Sequence, residues 1–161
     1  MTRAHVRQLL VDMLKLLDLA ALSDRYVIIG GAAVHVYDAS RTINDIDILL
    51  QDEAAIARLR PHLAKTGFST KRFSRSAPIL THECGKVDVL PAELDPIWER
   101  AWQQRVPGVI FGIAVLVPPV DALVALKQSA VEDPAQVRKS EDDLRRLAVI
   151  RASRRKGRRV P

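Results

Sequence analysis

Apolar residues in the first part of the chain recur at three- and four-residue steps: Val6, Leu9, Leu10, Met13, Leu16, Leu17 and Ala20. That spacing predicts a first helix with one buried stripe, ending near Ser23. The pattern then shortens. "RYVII" reads as a buried strand broken by Gly30-Gly31, "AAVHVYD" as a helix packing small residues on a sheet, and "DIDILL" as a second strand. "DEAAIARLRPHLAKTG" predicts an amphipathic helix capped by Asp52, kinked at Pro61 and stopped at Gly67.

From Phe68 the pattern alternates in short pieces. "FSTKRF", "APILTHE" and "KVDVL" read as three strands of one antiparallel meander, with Gly85 turning the last pair. "LDPIWERAWQQR" predicts a short helix and "GVIFGIAVLV" one further strand. "VDALVALKQSAVE" and "PAQVRKSEDDLRRLAVIRA" predict two closing helices, separated near Asp133-Pro134. Mixed helix and strand followed by helices implies one modest mixed sheet in a single domain, a size that 161 residues supply.

Composition adjusts this picture at the C-terminus. The final segment holds Arg151, Arg154, Arg155, Lys156, Arg158 and Arg159 and no acid, which accounts for the whole net charge of +6. Residues 1–150 are therefore formally neutral, and 151–161 read as a basic, disordered tail. Such a tail would attract phosphate backbones in a salt-sensitive way, and a bland solvated tail accounts for it equally well. No apolar run approaches the ~20 residues of a membrane span, and the first residues lack the pattern of a signal peptide. Cys84 is the single cysteine, so no intramolecular disulfide forms and the expected compartment is a reducing cytoplasm. A structural thiol is the simpler reading of it, because no histidine motif accompanies it.

The chemistry concentrates in carboxylates. Side chains alternate along a strand, so Asp45 and Asp47 share one face while Ile46, Ile48 and Leu50 take the other. Two like charges at that spacing repel unless a cation offsets them. Oxygen ligands suit Mg²⁺ or Mn²⁺, and the absence of histidine and cysteine from the cluster disfavours zinc. An isolated D-x-D is more simply the wet face of an edge strand; two further features weigh against that. Gly30-Gly31 lies between a strand and a helix, where bare amides and the helix dipole can hold phosphate oxygens. Asp88 interrupts the apolar run of "KVDVL", where an unpaired acid is expensive to bury.

The strings G-G-A-A-V, Y-D-A-S-R-T, D-I-D-I-L-L and, about forty residues on, V-D-V-L together resemble the polymerase-beta-type nucleotidyltransferases. They are most similar to the small bacterial proteins grouped with AbiEii toxins. The resemblance covers roughly residues 24–150. It implies an α+β fold, a nucleotidyltransferase-like mixed β-sheet flanked by α-helices with a helical C-terminal part. It further implies transfer of a nucleoside monophosphate from an NTP to a hydroxyl of RNA, such as a tRNA end, or of protein. Gly30 and Gly31 would seat the triphosphate. Asp45 and Asp47 would ligate two Mg²⁺ ions about 3.5 to 4 Å apart, and Asp88 would hold the ion that activates the acceptor. Arg41 and Thr42 match the family's R-x-T with one residue displaced, which leaves Arg41 between phosphate contact and a loop ion pair. Lys127 falls on the apolar stripe of its helix, where a lysine snorkels or reaches an anion; the resemblance favours the nucleotide.

The "VRKSEDDLRRL" helix retains Lys139 and Asp143 of the related pattern, has Ser140 where an acid is usual, and reads as structural. His35 and His82 show no ligand spacing, and Trp98 and Trp102 read as core. For toxins of this group an antitoxin-like protein is the implied partner. The departures at Asp38, Asn44 and Ser140 also fit a different reading, a catalytically inactive nucleotide-binding or regulatory protein on the same fold.

Overall fold

The computed structural model describes residues 1–74, 76–131 and 137–157. Helix α1 (Arg3–Leu19) opens on Thr2, whose hydroxyl accepts from the His5 amide, and buries the stripe from Val6 to Leu17. Strand β1 (Tyr26–Ile29) runs straight into α2 (Gly30–Tyr37), and β2 (Ile46–Leu50) follows after the loop 38–45. Then come α3 (Glu53–Ala57), β3 (Ile79–His82), β4 (Gly85–Pro91) and α4 (Pro96–Gln103). Strands β5 (Val106–Ile110) and β6 (Ile113–Val117) precede the closing helices α5 (Val120–Ala130) and α6 (Val137–Gly157).

The main sheet has the order β1-β2-β4-β3, with β2 and β4 parallel at its centre and both edges antiparallel. One face carries Ile28, Ile46, Ile48, Val87, Val89 and Leu80, all buried. On that face His82 lies 3.4 Å from Asp12 of α1, which places α1 against it. The opposite face carries Asp47 and Asp88 at one end and buried Leu49 further along, so the wet face of the acids closes into core within two residues. Helix α2 covers this face from the end of β1, and α5 and α6 lie beyond it, antiparallel to each other. Their pairing is marked by Lys127 with Asp143 at one end and Asp121 with Arg151 at the other.

Four stretches depart from the expected pattern. The helix predicted over 52–67 is helical only to Ala57, capped by Asp52, whose Oδ1 accepts from the Ala55 amide at 2.7 Å. It continues as 3₁₀ turns at Arg60–His62 and Ala64–Thr66, because Pro61 has no amide to give and Gly67 turns left-handed at φ +77°. "FSTKRF" is not a strand: only Ser69 bridges to Thr81, and the Thr70 hydroxyl donates to the Arg72 carbonyl in a local turn. The expected meander is thus the β3-β4 hairpin alone, and β4 takes β2 as its other neighbour.

"GVIFGIAVLV" folds as the β5-β6 hairpin, a separate two-stranded sheet, turning at Phe111 (φ +50°) and Gly112 (φ +82°). Positive φ at both central residues is what a two-residue hairpin turn of type I′ needs, and Phe111 is an unusual residue to supply it. It is held from several sides. Arg7 donates to its carbonyl, the Arg3 guanidinium lies 5.2 Å from its ring and His35 meets it edge-on at 4.7 Å.

Finally, the basic segment is helical through Gly157 rather than a disordered tail from residue 151; residues 158–161 lie outside the described ones. Arginine, alanine and lysine extend a helix readily once buried Leu147 anchors it. The expected break near Asp133-Pro134 also lies outside the described residues. Trp98 and Trp102 pack half-buried against the core, as read. Among the described residues no helix is long and apolar enough to cross a membrane.

Candidate active site

The parallel register of β2 and β4 decides the position of the acids. Asp47 pairs with Asp88 across the two central strands, so their side chains leave the same face side by side. Asp45 lies one pleat back on that face. All three line one cleft together with Gly30, Gly31, Arg41, Thr42, Asn44, Lys86, Lys127 and Lys139. Every residue singled out from the sequence as a site candidate therefore borders a single opening, although their partners differ from those expected.

The glycine pair has a local explanation. Gly30 adopts φ +68°, and a Cβ there would lie 2.1 Å from Asp47 Oδ2, so only glycine lets the chain leave β1 and start α2 beside that carboxylate. Gly31 has ordinary backbone angles; a Cβ on it would sit 3.0 Å from Arg41 Nη2. The pair thus allows one carboxylate and one guanidinium to lie against the first turn of α2. That turn has no side-chain cap, so its amides are open to a ligand.

Arg41, left between a phosphate contact and a loop ion pair, and Lys127, expected to reach a nucleotide, both bind Asp143. Arg41 Nε donates to Asp143 Oδ1 at 2.6 Å, and Lys127 Nζ lies 2.7 Å from Oδ2. Arg41 Nη1 also donates to the Thr42 carbonyl at 2.7 Å. Asp143 is wholly buried, so both cations are held at the cleft wall from behind. Asp143 was not among the candidate site residues. The available signal was the stripe of Ser140, Asp143 and Leu147, all buried, since an acid on the apolar face of a helix needs a cation. Lys86 was missed as well, although it stands two residues before Asp88 and hence on the same strand face; its Nζ lies 3.1 Å from Asp88 Oδ2.

The loop from α2 to β2 is tied down separately. Buried His35 donates from Nδ1 to the Arg41 carbonyl at 2.7 Å. Asp38 is extended (φ −138°). It accepts from the Ser40 hydroxyl at 2.6 Å and from Arg146 at 2.6 Å, and these bonds, the Ser40 one foremost, bring its carboxyl down to about 2. Neither His35 nor His82 borders the cleft. Cys84 is half-buried, with its thiol pushed up by desolvation and then by the nearby Glu83 and Asp12 charges, as befits an inert thiol.

The acid cluster carries unbalanced charge. Burial foremost, then the neighbouring Asp45 and Asp88 charges, push the Asp47 carboxyl up to about 6, against the pull of Lys127 and Lys86. Asp88 Oδ1 is buried with no hydrogen-bond partner. An all-oxygen donor set, an orphaned carboxylate oxygen and mutual repulsion fit a hard divalent cation. Among the described residues no three acid, histidine or cysteine side chains form a ready-made cage. Mg²⁺ does not need one, since it binds through one or two carboxylates and completes its shell with water and phosphate oxygens.

No family model matches the chain, and no curated protein matches it. Solved structures do match, and the fold is the one seen in nucleotidyltransferases. The antibiotic-resistance factor ANT(2'')-Ia in solution superposes with a TM-score of 0.59 at 20% identity, covering 91% of this chain and 90% of that one. The crystal structure of ANT(2'')-Ia with adenylyl-2''-tobramycin gives 0.58 at 20% identity, over 94% and 98%. The lincosamide antibiotic adenylyltransferase LnuA, bound to lincomycin, gives 0.59 at 18% identity, over 86% and 96%. The narrower resemblance to AbiEii-like proteins has no counterpart among these three.

Proposed function

We propose that the protein is a metal-dependent nucleotidyltransferase that moves a nucleoside monophosphate from an NTP to a hydroxyl group. The observation that carries this reading is the convergence of Asp45, Asp47 and Asp88 on one cleft beside the uncapped start of α2. Asp45 and Asp47 would hold Mg²⁺ or Mn²⁺, with Asp88 as the third carboxylate. The bound cation supplies positive charge that offsets the phosphates. The amides at Gly30 and Gly31, with Thr42 at the rim, would receive phosphate oxygens, while Lys127 and Arg41, braced by Asp143, supply a positive wall. The acceptor oxygen bonds to the α-phosphorus, the bond to pyrophosphate breaks, and the acceptor's proton passes to Asp88. Positioning and charge compensation suffice for such a displacement.

For the acceptor, a small hydroxylated compound is supported by the fold neighbours, one of them in complex with adenylyl-2''-tobramycin and another a lincosamide antibiotic adenylyltransferase bound to lincomycin. A polyanionic acceptor such as RNA is supported by a different feature, Arg154 and Arg155 at an opening beside Pro119 and Val120 that the paired Arg151 and Asp121 also line. If RNA is the acceptor, overexpression should harm the cell and an antitoxin-like protein would be the natural counterpart; a protein acceptor has no comparable feature in its favour. The inactive reading rests on Asp38, Asn44 and Ser140, and the presence of all three acids in one cleft counts against it.

The test is incubation with α-³²P-labelled NTPs and Mg²⁺ in three arms: hydroxylated small molecules including aminoglycosides and lincosamides, total RNA, and cell protein. Label should move to one class, and Asp47→Asn should reduce transfer by at least ~100-fold. Equal labelling by wild type and variant would end the proposal.

A further inference from the structure

Lys86 occupies a place that the functional reading above does not use. It stands two residues before Asp88 on β4, so both side chains leave the same face of the sheet. The β2-β4 register sets Ile46 beside Val87; carried back one residue, it sets Asp45 beside Lys86. Of the cations bordering the cleft, Arg41 and Lys127 are committed to buried Asp143, whereas Lys86 reaches the acid triad itself, 3.1 Å from Asp88 Oδ2. The pair is partly exposed, 47% for the Lys86 side chain and 26% for that of Asp88. An ion pair in that setting contributes only about 1 kcal/mol or less, so it breaks readily when a stronger cation arrives.

From this geometry we infer that Lys86 is a resident counter-ion of the carboxylate triad, paired through Asp88 Oδ2 while Oδ1 is left without a partner, and that it competes with a divalent cation for the charge of that carboxylate. The inference rests on the triad's being a cation site, and it concerns the exchange of cations rather than transfer itself. Three carboxylates facing one opening repel when all are ionised, and a flexible ammonium on the same strand limits that repulsion without sealing the site. An arginine would pin Asp88 more firmly through two donors; lysine offers a point charge on a mobile stem. Once released, the ammonium is free to turn to the phosphate oxygens that enter with the ion.

The experiment is Mn²⁺ binding to the full-length protein without nucleotide, followed by the EPR signal of free Mn²⁺. Wild type is compared with Lys86→Met, Lys86→Arg, Asp88→Asn and the Lys86→Met/Asp88→Asn pair. Removing the competing ammonium should tighten Mn²⁺ about five-fold, the equivalent of one exposed ion pair, while Lys86→Arg binds no tighter than wild type. In the Asp88→Asn background the gain from Lys86→Met should fall below about two-fold, because no shared carboxylate remains to compete for. Unchanged or weaker binding by Lys86→Met overturns the inference. So does an equal gain in both backgrounds, which would mark a diffuse field effect. Either result, with Mn²⁺ still bound by wild type and label transfer intact, leaves the functional reading standing. Absence of Mn²⁺ binding from wild type without nucleotide overturns the inference, and label transfer then decides the functional reading separately.

Discussion

Asp47 carries two demands at once: it is half sunk into the sheet face and sits between two other acids. Its carboxyl titrates near 6 in the folded chain and near 4 in the unfolded one. Between those values the folded state holds the proton more tightly, so the contribution of this group to stability is greatest at pH below about 4, falls as pH rises to about 6, and is level above. The difference amounts to at most about 3 kcal/mol. Asp47→Asn should therefore be more stable than wild type in EDTA at pH 7.5, with the advantage fading toward pH 4; urea titrations across that range measure it. A parallel pH dependence in the two proteins would show that Asp47 is not the group under stress. The glycines beside it separate in the same way. Gly30→Ala combines a left-handed φ with a Cβ 2.1 Å from Asp47 Oδ2, whereas Gly31→Ala meets only the far end of Arg41 at 3.0 Å. Gly30→Ala should lose roughly 2 to 4 kcal/mol and displace the carboxylate, and Gly31→Ala less than about 1 kcal/mol. Equal losses in thermal denaturation would refute that ranking.

Among the elements, α6 does more than close the domain. Through Asp143 it holds one cation from the loop before β2 and another from α5, so three separate stretches meet at a single buried carboxylate. Asp143→Ala leaves Arg41 and Lys127 without their partner and should destabilise by about 3 to 5 kcal/mol. Lys127→Met removes one cation while Arg41 stays in place, and the loss should be about half as large or less. Denaturant midpoints for the two variants check the order. This junction also marks where the sequence stops being legible. Period-two alternation located Asp45, Asp47 and Asp88 because strand geometry is local, and the strand-glycine-helix junction at Gly30 was readable for the same reason. The partner of Arg41 was not, since 102 residues separate Arg41 from Asp143 and only packing brings them together. Two short-range errors have local causes as well. Phe111 conceals a turn that Asn-Gly would have announced, and Thr70 diverts to its own backbone a segment whose alternation suggested a strand.

In the molecule as a whole, the cations that border the cleft are mostly engaged already. Among the described residues bordering it, Arg41 and Lys127 are bound to Asp143 and Lys86 to Asp88, which leaves Lys139 on α6. A triphosphate arriving alone meets three carboxylates and little free positive charge, so binding should require a divalent cation together with the nucleotide. Ligand that binds only the folded state stabilises it by about 2.7 kcal/mol at a hundred times its Kd, which for a chain of this length raises Tm by roughly 5 to 10 °C. A non-hydrolysable NTP analogue with Mg²⁺ should give a shift of that order in wild type. The analogue alone should give less than a third of it, and Asp47→Asn should respond weakly to the combination. A full shift with the analogue in EDTA would mean that the phosphates are held by amides and cations without the acids, and the carboxylates would then need another explanation.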